Sequence, residues 1–264
     1  MGLIYHYTKF ETFMSYIFPT GKIRTNSLRY MNDPRESVDW SFGGTNIPYE
    51  EIFNGYYNEN THFDCQYKFG NIIRDSYQVL CFSGAKEAGW NNEMMWAHYG
   101  GLSSGVCLEF DEDSLMKNIK EAYPNTNFKI DDIDYSNTEL EPWVHWNPRI
   151  SYEQNMNDIF QNLCKPMTLS KSKYWSNEDE KRLVFTNSEE PFYIPILGAL
   201  KTVYVGINFN KKVLLESIFK ALSGNFKLSM LIYQKNRFER WGLREKAGGG
   251  ISTCQFENML PNLN

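Results

Sequence analysis

Between Lys173 and Phe185 the chain reads KYWSNEDEKRLVF, and two of its acids, Glu178 and Glu180, stand two residues apart just before an apolar run. In extended backbone, residues i and i+2 leave the same face of a strand, so both carboxylates are expected to point one way. Like charges side by side repel unless a cation or a substrate compensates them, which makes the pair a catalytic candidate. On spacing alone the preferred reading is a solvated acidic loop balanced by Lys181 and Arg182.

His6 closes the first apolar run and is followed by Tyr7 and Thr8, at a strand end where a rigid scaffold displays binding groups, although taken alone a histidine here is preferred as a core or capping residue. Thr8 also fits as a helix N-cap, with Glu11 three residues on completing a capping box. A second group, Ser83, Trp96, His98 and Tyr99, falls between two apolar strands. Trp96 and Tyr99 are three apart, so on a helix they form either a stacking surface for a planar ring or its buried face. Cys81 and Cys107 lie inside the apolar runs, where a thiol is an inert packing residue rather than a nucleophile. Near the end, Lys235, Arg237, Arg240, Arg244 and Lys246 gather around Phe238 and Trp241. That interleaving suits a phosphate chain or single-stranded nucleic acid, but Glu239 and Glu245 dilute it, and a solvated amphipathic segment is the preferred reading. Neither a P-loop nor a strand–GxGxxG–helix fingerprint is present.

The elements that must position these groups follow from pattern. Leu3–Tyr7 reads as a strand, Lys9–Phe18 as a helix with Phe10, Phe13, Met14 and Ile17 on one face, and Pro19 and Gly21 as its end. Lys22–Ser27 is a second strand, and Asn32-Asp33-Pro34 a turn or helix start capped by a side chain. Residues 41–64 look irregular. Helices are expected at Gln66–Tyr77, Glu93–Tyr99, Tyr152–Cys164 and Lys211–Leu222, and strands at Val79–Ser83, Gly105–Phe110, Ile130–Tyr135, Leu183–Phe185, Ala199–Val205 and Lys227–Tyr233. Without regular strand–helix alternation the class is α+β, one domain over 1–245 with a flexible tail over 246–264.

At 264 residues with 16% aromatic side chains, the chain can bury a substantial core. A net charge of −5, from 27 basic and 32 acidic residues, argues against attachment to nucleic acid or membrane by overall electrostatics. Five cysteines without a CxxC pair or a nearby histidine in metal spacing indicate neither a disulfide framework nor a zinc site, so a reducing cytoplasmic setting fits, and no metal is expected. No run of about 18 apolar residues is present, so neither a signal peptide nor a membrane span is expected.

Taken in order, His6-Tyr7-Thr8, Gly21-Lys22-Ile23-Arg24, Asn32-Asp33-Pro34, Cys81-Phe82-Ser83, Met95-Trp96-Ala97-His98-Tyr99, Gly105–Phe110 and Trp175-x-x-Glu178-x-Glu180-x-Arg182 resemble the bacterial domain of unknown function 2971 family across residues 3–245. The opening His-x-Thr, then a helix, then a glycine leading into a second strand, is also similar to the start of ADP-ribosyltransferases of the His-Tyr-Glu type. That resemblance implies a split, mixed or antiparallel sheet with flanking helices and NAD as substrate. It also implies a macromolecular acceptor, nucleic acid or protein, and a toxin or phage-defence role. Carried over, Glu180 is the catalytic acid with Glu178 completing an ExE-like pair. His6, Tyr7, Thr8, Arg24, Asn32, Asp33, Ser83, Trp96, His98 and Tyr99 line the cofactor, with Tyr30, Trp96 and Tyr99 competing to stack on nicotinamide.

The chemistry fits that assignment, because breaking the nicotinamide–ribose bond develops positive charge that a fixed carboxylate stabilises by roughly 3 kcal/mol, about a hundredfold in rate. The alternative is a module without catalysis that senses a nucleotide or binds a protein through the same cleft. Glycoside hydrolysis ranks last, since it needs two acids facing across a cleft about 5 to 9.5 Å wide.

Overall fold

The computed structural model describes residues 2–37, 71, 73–84, 89–135, 149–186, 188–209, 227–234 and 237–242. The first strand, β1 (Leu3–Thr8), forms where the opening aromatic and β-branched residues predict it. A continuous helical segment follows over 10–20, whose middle, Phe13–Ile17, is π-helical. Phe13 and Ile17 are buried, and Phe10 and Met14 pack against the same core. Gly21 ends the segment at φ 62°, a left-handed conformation that glycine adopts at no steric cost.

The remaining strands are β2 (Lys22–Arg24), β3 (Asn26–Ser27), β4 (Gln78–Ser83), β5 (Val106–Asp111), β6 (Phe128–Asp132), β7 (Glu180–Phe185), β8 (Tyr193–Pro195), β9 (Leu200–Val205), β10 (Lys227–Gln234) and β11 (Arg237–Gly242). Among the described residues nine strands make one sheet in the order β11-β10-β9-β5-β1-β4-β7-β6, with β3 on β4, while β2 and β8 form a separate pair. Of these described strands β9 and β10 run parallel, and the other pairs are antiparallel. Helices and an essentially antiparallel sheet make the class α+β.

Strand alternation gives the sheet two chemically different faces. One carries Ile4, Leu80, Phe82, Leu108, Phe110, Leu183 and Phe185, covered by the 10–20 segment and by the helix Glu112–Ala122 through Leu115 and Ile119. Complete burial of side chains such as Leu108 and Phe110 stabilises the fold by about 1.5–3 kcal/mol each. The other face carries a cross-strand row in which each residue lies opposite the next: Glu180, Ser83, Tyr5, Glu109 and Thr202. This row positions the polar chemistry described below.

Several local expectations change. Lys9, not Thr8, occupies the N-cap of the first helix and makes no side-chain cap, because Thr8 completes β1 opposite Val106. The expected strand Lys22–Ser27 breaks at buried Thr25, whose N–H donates to the Phe192 carbonyl at 2.9 Å while its hydroxyl oxygen accepts from the Phe192 N–H at 2.8 Å. The helix Tyr152–Leu169 extends beyond Cys164 and through Pro166. Arg237–Gly242 is a strand paired with β10, and Phe238 is buried beside Trp96. The helix Glu112–Ala122, capped by Asp111 accepting from the Ser114 N–H at 2.9 Å, had no counterpart in the sequence expectations. Residues 41–64, Lys211–Leu222 and the tail over 246–264 lie outside the described residues.

Candidate functional site: a buried ionic cluster with a polar mouth

Glu178 ends the tight helical turn Lys173–Glu178, and Asp179, left-handed at φ 45°, redirects the chain into β7. That reversal brings the carboxylates of Glu178 and Glu180 to one ammonium group. Lys171 Nζ lies 2.8 Å from Glu178 Oε2 and 2.6 Å from Glu180 Oε2. Two residues along β7, Arg182 shares the face of Glu180 and contacts its Oε1 through Nε at 2.8 Å and Nη2 at 2.7 Å. The Nη1 of Arg182 donates to Glu36 Oε1 at 2.6 Å and to the Thr168 carbonyl at 2.7 Å. Glu36, Lys171, Glu178, Glu180 and Arg182 are all buried. Removing such charges from water is costly, and close mutual pairing is what offsets it.

Electrostatics divide the members. Burial alone would raise the Glu180 carboxyl, but Arg182 and Lys171 reverse this and hold it down to about 2. Burial works against the charged Lys171 ammonium, yet Glu180 holds it above its ordinary value. Burial pushes Glu36 up despite Arg182 and Lys171. The Cys81 thiol, opposite Arg182 in register, is pushed up by burial first and by Glu180 second, which disfavours its thiolate and suits packing rather than nucleophilic attack.

The cluster reaches solvent at one end. Tyr99 donates its hydroxyl to Glu178 Oε1 at 2.5 Å, and exposed Asn32 donates Nδ2 to the Tyr99 oxygen at 2.5 Å. Burial, then the bond to Glu178, holds the Tyr99 phenol protonated as a donor. Ser83 donates to the Glu178 carbonyl at 2.9 Å, and Asn92 donates to the Asn177 carbonyl at 2.6 Å. A carboxylate, a phenol and a carboxamide at the mouth can together exchange hydrogen bonds with a polyhydroxylated ligand.

Asn32, Ser83, Tyr99, Glu178 and Glu180 therefore meet in one place, and exposed His98 stands beside Tyr99 with ring centroids 6.2 Å apart. His6 does not join them. It lies opposite Leu108, edge-on to Phe82, and its Nδ1 is 3.0 Å from the Cys81 carbonyl, so it projects from the apolar face of the sheet, opposite to Glu180. Burial lowers the His6 pKa, and the contact with a carbonyl assigns the Nδ1 proton. Thr8, two residues on, leaves β1 on the side of His6. Arg24 is exposed in the two-stranded pair opposite Tyr193, apart from the cluster. Tyr7 and Trp96 pack edge-to-face in a hydrophobic core, where Tyr7 bonds the Gly89 carbonyl and Trp96 Nε1 donates to the Trp90 carbonyl at 2.8 Å. Tyr30 is 75% exposed. Asp33 is buried, and its carbonyl accepts from the Glu36 N–H at 2.9 Å.

The solvated acidic loop is not what forms: Arg182 does balance the acids, but in the interior, while Lys181 turns to the other face and pairs with Glu112 at 2.9 Å. Sequence reasoning missed Lys171 and Glu36. The like-charge repulsion of Glu178 and Glu180 already demanded a cation, and Lys171 was the nearest upstream basic residue apart from Lys173.

No helix of the described residues is long and apolar enough to cross a membrane. No curated protein and no solved structure matches the chain. The family described as "Protein of unknown function (DUF2971)" has a model that matches residues 95–183, about a third of the chain, a stretch that holds Tyr99, Lys171, Glu178, Glu180 and Arg182 but neither His6, Asn32 nor Glu36.

Proposed function

We propose that the chain is a nucleotide-binding module that grips the ribose of a ligand such as NAD at the mouth formed by Asn32, Tyr99 and Glu178, with Glu180 serving as a fixed counter-charge. The observation that carries this reading is the contrast within the acidic pair. Both Glu180 oxygens face Lys171 or Arg182 in the interior, whereas Glu178 Oε1 faces Tyr99 and, through it, exposed Asn32. Ribose hydroxyls can replace the Tyr99–Asn32 link on that carboxylate without breaking an ion pair, since Glu178 keeps Lys171 on its other oxygen.

Calorimetry with NAD and with ADP-ribose tests it. Saturable binding that Glu178→Gln weakens by about tenfold, the scale of one charge-assisted hydrogen bond, is expected. Absence of binding to the wild-type chain overturns the reading.

A second reading keeps the ADP-ribosyl transfer that the opening residues suggest, to a nucleic acid or protein acceptor and on an ADP-ribosyltransferase-like fold, but moves the reacting carboxylate to Glu178. Its support is the position of Glu178 at the mouth, beside the candidate stacking ring Tyr99. Nicotinamide release from NAD that is lost in Glu178→Gln favours transfer; binding without release favours the module.

A further inference from the structure

The segment 28–37 crosses the cluster as a strap. Arg29 anchors it to Asp75 through two bonds of 2.7 and 2.8 Å, Met31 Sδ meets Cys81 Sγ at 3.9 Å, Asn32 bonds Tyr99, and Glu36 on the short helix Pro34–Ser37 reaches Arg182. Among the described residues, the charges of the ionic cluster beneath it do not balance. Three carboxylates, Glu36, Glu178 and Glu180, face two cations, Lys171 and Arg182, leaving one negative charge in excess. A buried uncompensated charge is expensive, and the ordinary remedy is to take up a proton.

The contacts single out the carboxyl that takes it. Glu180 is in ionic contact through both oxygens, and Glu178 holds Lys171 on one oxygen and the Tyr99 hydroxyl on the other. Glu36 is 2% exposed, its Oε1 meets Arg182, and its Oε2 has no hydrogen-bond partner among the described residues. We infer that the strap is a proton-linked latch: Glu36 enters the interior as a neutral acid, and seating it on Arg182 sets Asn32 against Tyr99 and so completes the mouth. The proton-linked closure stands on the charge count; its effect on ligand rests on the nucleotide-binding reading above.

The sign follows from linkage. The closed strap holds a proton on Glu36 that the open, solvated strap releases, so protons favour closure and rising pH favours opening, by at most about tenfold per pH unit for a single proton. Burial pushes Glu36 in that direction. The other titratable groups around it are Lys171, Glu178, Glu180, Arg182, Cys81 and Tyr135, with Asp33 on the strap itself. Burial pushes the Cys81 thiol and the Tyr135 phenol up, so neither supplies a charge near neutrality.

Hydrogen exchange of residues 28–37 between pH 5 and 8, corrected for the intrinsic rate, tests the latch in the full chain. Protection is expected to fall as pH rises in wild type and in Asp33→Asn. In Glu36→Gln, which mimics the neutral acid, it is expected to stay high and flat. Flat protection in wild type, or an undiminished pH response in Glu36→Gln, overturns the latch. Calorimetry with NAD over the same range separates the two ideas. Affinity that weakens with pH only where Glu36 is present supports both, and bound NAD with a pH-independent affinity overturns the coupling to ligand. No binding at any pH overturns the nucleotide reading alone and leaves exchange to decide the latch.

Discussion

Glu180 and Glu109 sit in the same cross-strand row, three strands apart or about 14 Å at ordinary strand spacing, and are buried to a similar degree, 5% and 8% exposed. Their surroundings differ. Glu180 is held by Lys171 and Arg182, whereas Glu109 is held by hydroxyls, Thr202 Oγ1 on one oxygen and Tyr204 on the other, both at 2.8 Å, with Tyr5 hydrogen-bonding beside them. No cation among the described residues is in ionic contact with Glu109. The hydroxyl cluster joins β1, β5 and β9, which the sheet already joins. The ionic cluster joins the strap, the Lys173–Glu178 turn and β7, which backbone pairing does not hold together. Ionic pairing therefore stands where separate segments must be registered around a mouth, and neutral donors suffice where the ladder has done the alignment.

Removing one cation is the harshest test of that contrast. Arg182→Met strips buried Glu180 of one of its two cations and leaves Glu36 Oε1 without its donor, so a loss of about 3–5 kcal/mol in urea denaturation is expected. Glu109→Gln removes a charge that has no ion pair and keeps an acceptor for the hydroxyls, so its loss is expected to be about 1–2 kcal/mol. A larger loss for Glu109→Gln than for Arg182→Met would show that the hydroxyl cluster, not the ionic one, carries the fold.

Acid acts next, and on the ionic cluster with a definite sign. The Glu180 carboxyl is lowered from 4.5 to about 2, because Arg182 and Lys171 outweigh its burial. Its contribution is fully present above 4.5 and disappears as pH falls through about 2. Glu36, raised by burial, works in the opposite sense and gives up stability as pH rises from its unfolded value toward its folded one. Urea midpoints between pH 5 and 2 are expected to fall in wild type, and to fall less steeply in Glu180→Gln. Equal slopes would remove Glu180 from the acid response.

The sheet was legible from sequence because its strands are apolar on at least one face: Leu3–Thr8, Gln78–Ser83 and Val106–Asp111 lie within a residue or two of where composition and alternation put them. Short elements were not. The strand Tyr193–Pro195 is three residues long, and β2 and β3 are separated only because Thr25 turns inward to Phe192, a contact between residues 167 apart. Glu178 and Glu180 were legible as a pair, but not as a buried one, since the cations that allow burial come from Lys171 and from Arg182 acting across to Glu36. The resemblance to ADP-ribosyltransferases puts His6 at the same ligand as Glu180. Strand parity alone decides otherwise, and parity between two strands depends on register, which a sequence does not print: Tyr5, not His6, stands in the row of Ser83 and Glu180.

The smallest effects compare two phenols that serve the two carboxylates. Tyr204 is 1% exposed and stacks on Trp90 with centroids 5.4 Å apart, so Tyr204→Phe keeps the packing and removes the donor to Glu109. Neither a cation nor open solvent replaces that donor, and a loss of about 1–1.5 kcal/mol is expected. Tyr99→Phe likewise removes a donor to a buried carboxylate, but Glu178 retains Lys171 at 2.8 Å, and water entering beside exposed Asn32 can take the place of the hydroxyl. Its cost in stability is therefore expected to be about 0.5 kcal/mol or less. Thermal denaturation of the two variants side by side reads the difference directly. If Tyr99→Phe costs as much as Tyr204→Phe, water does not reach Glu178, the mouth is sealed, and the contrast between an open ionic cluster and a closed hydroxyl one fails.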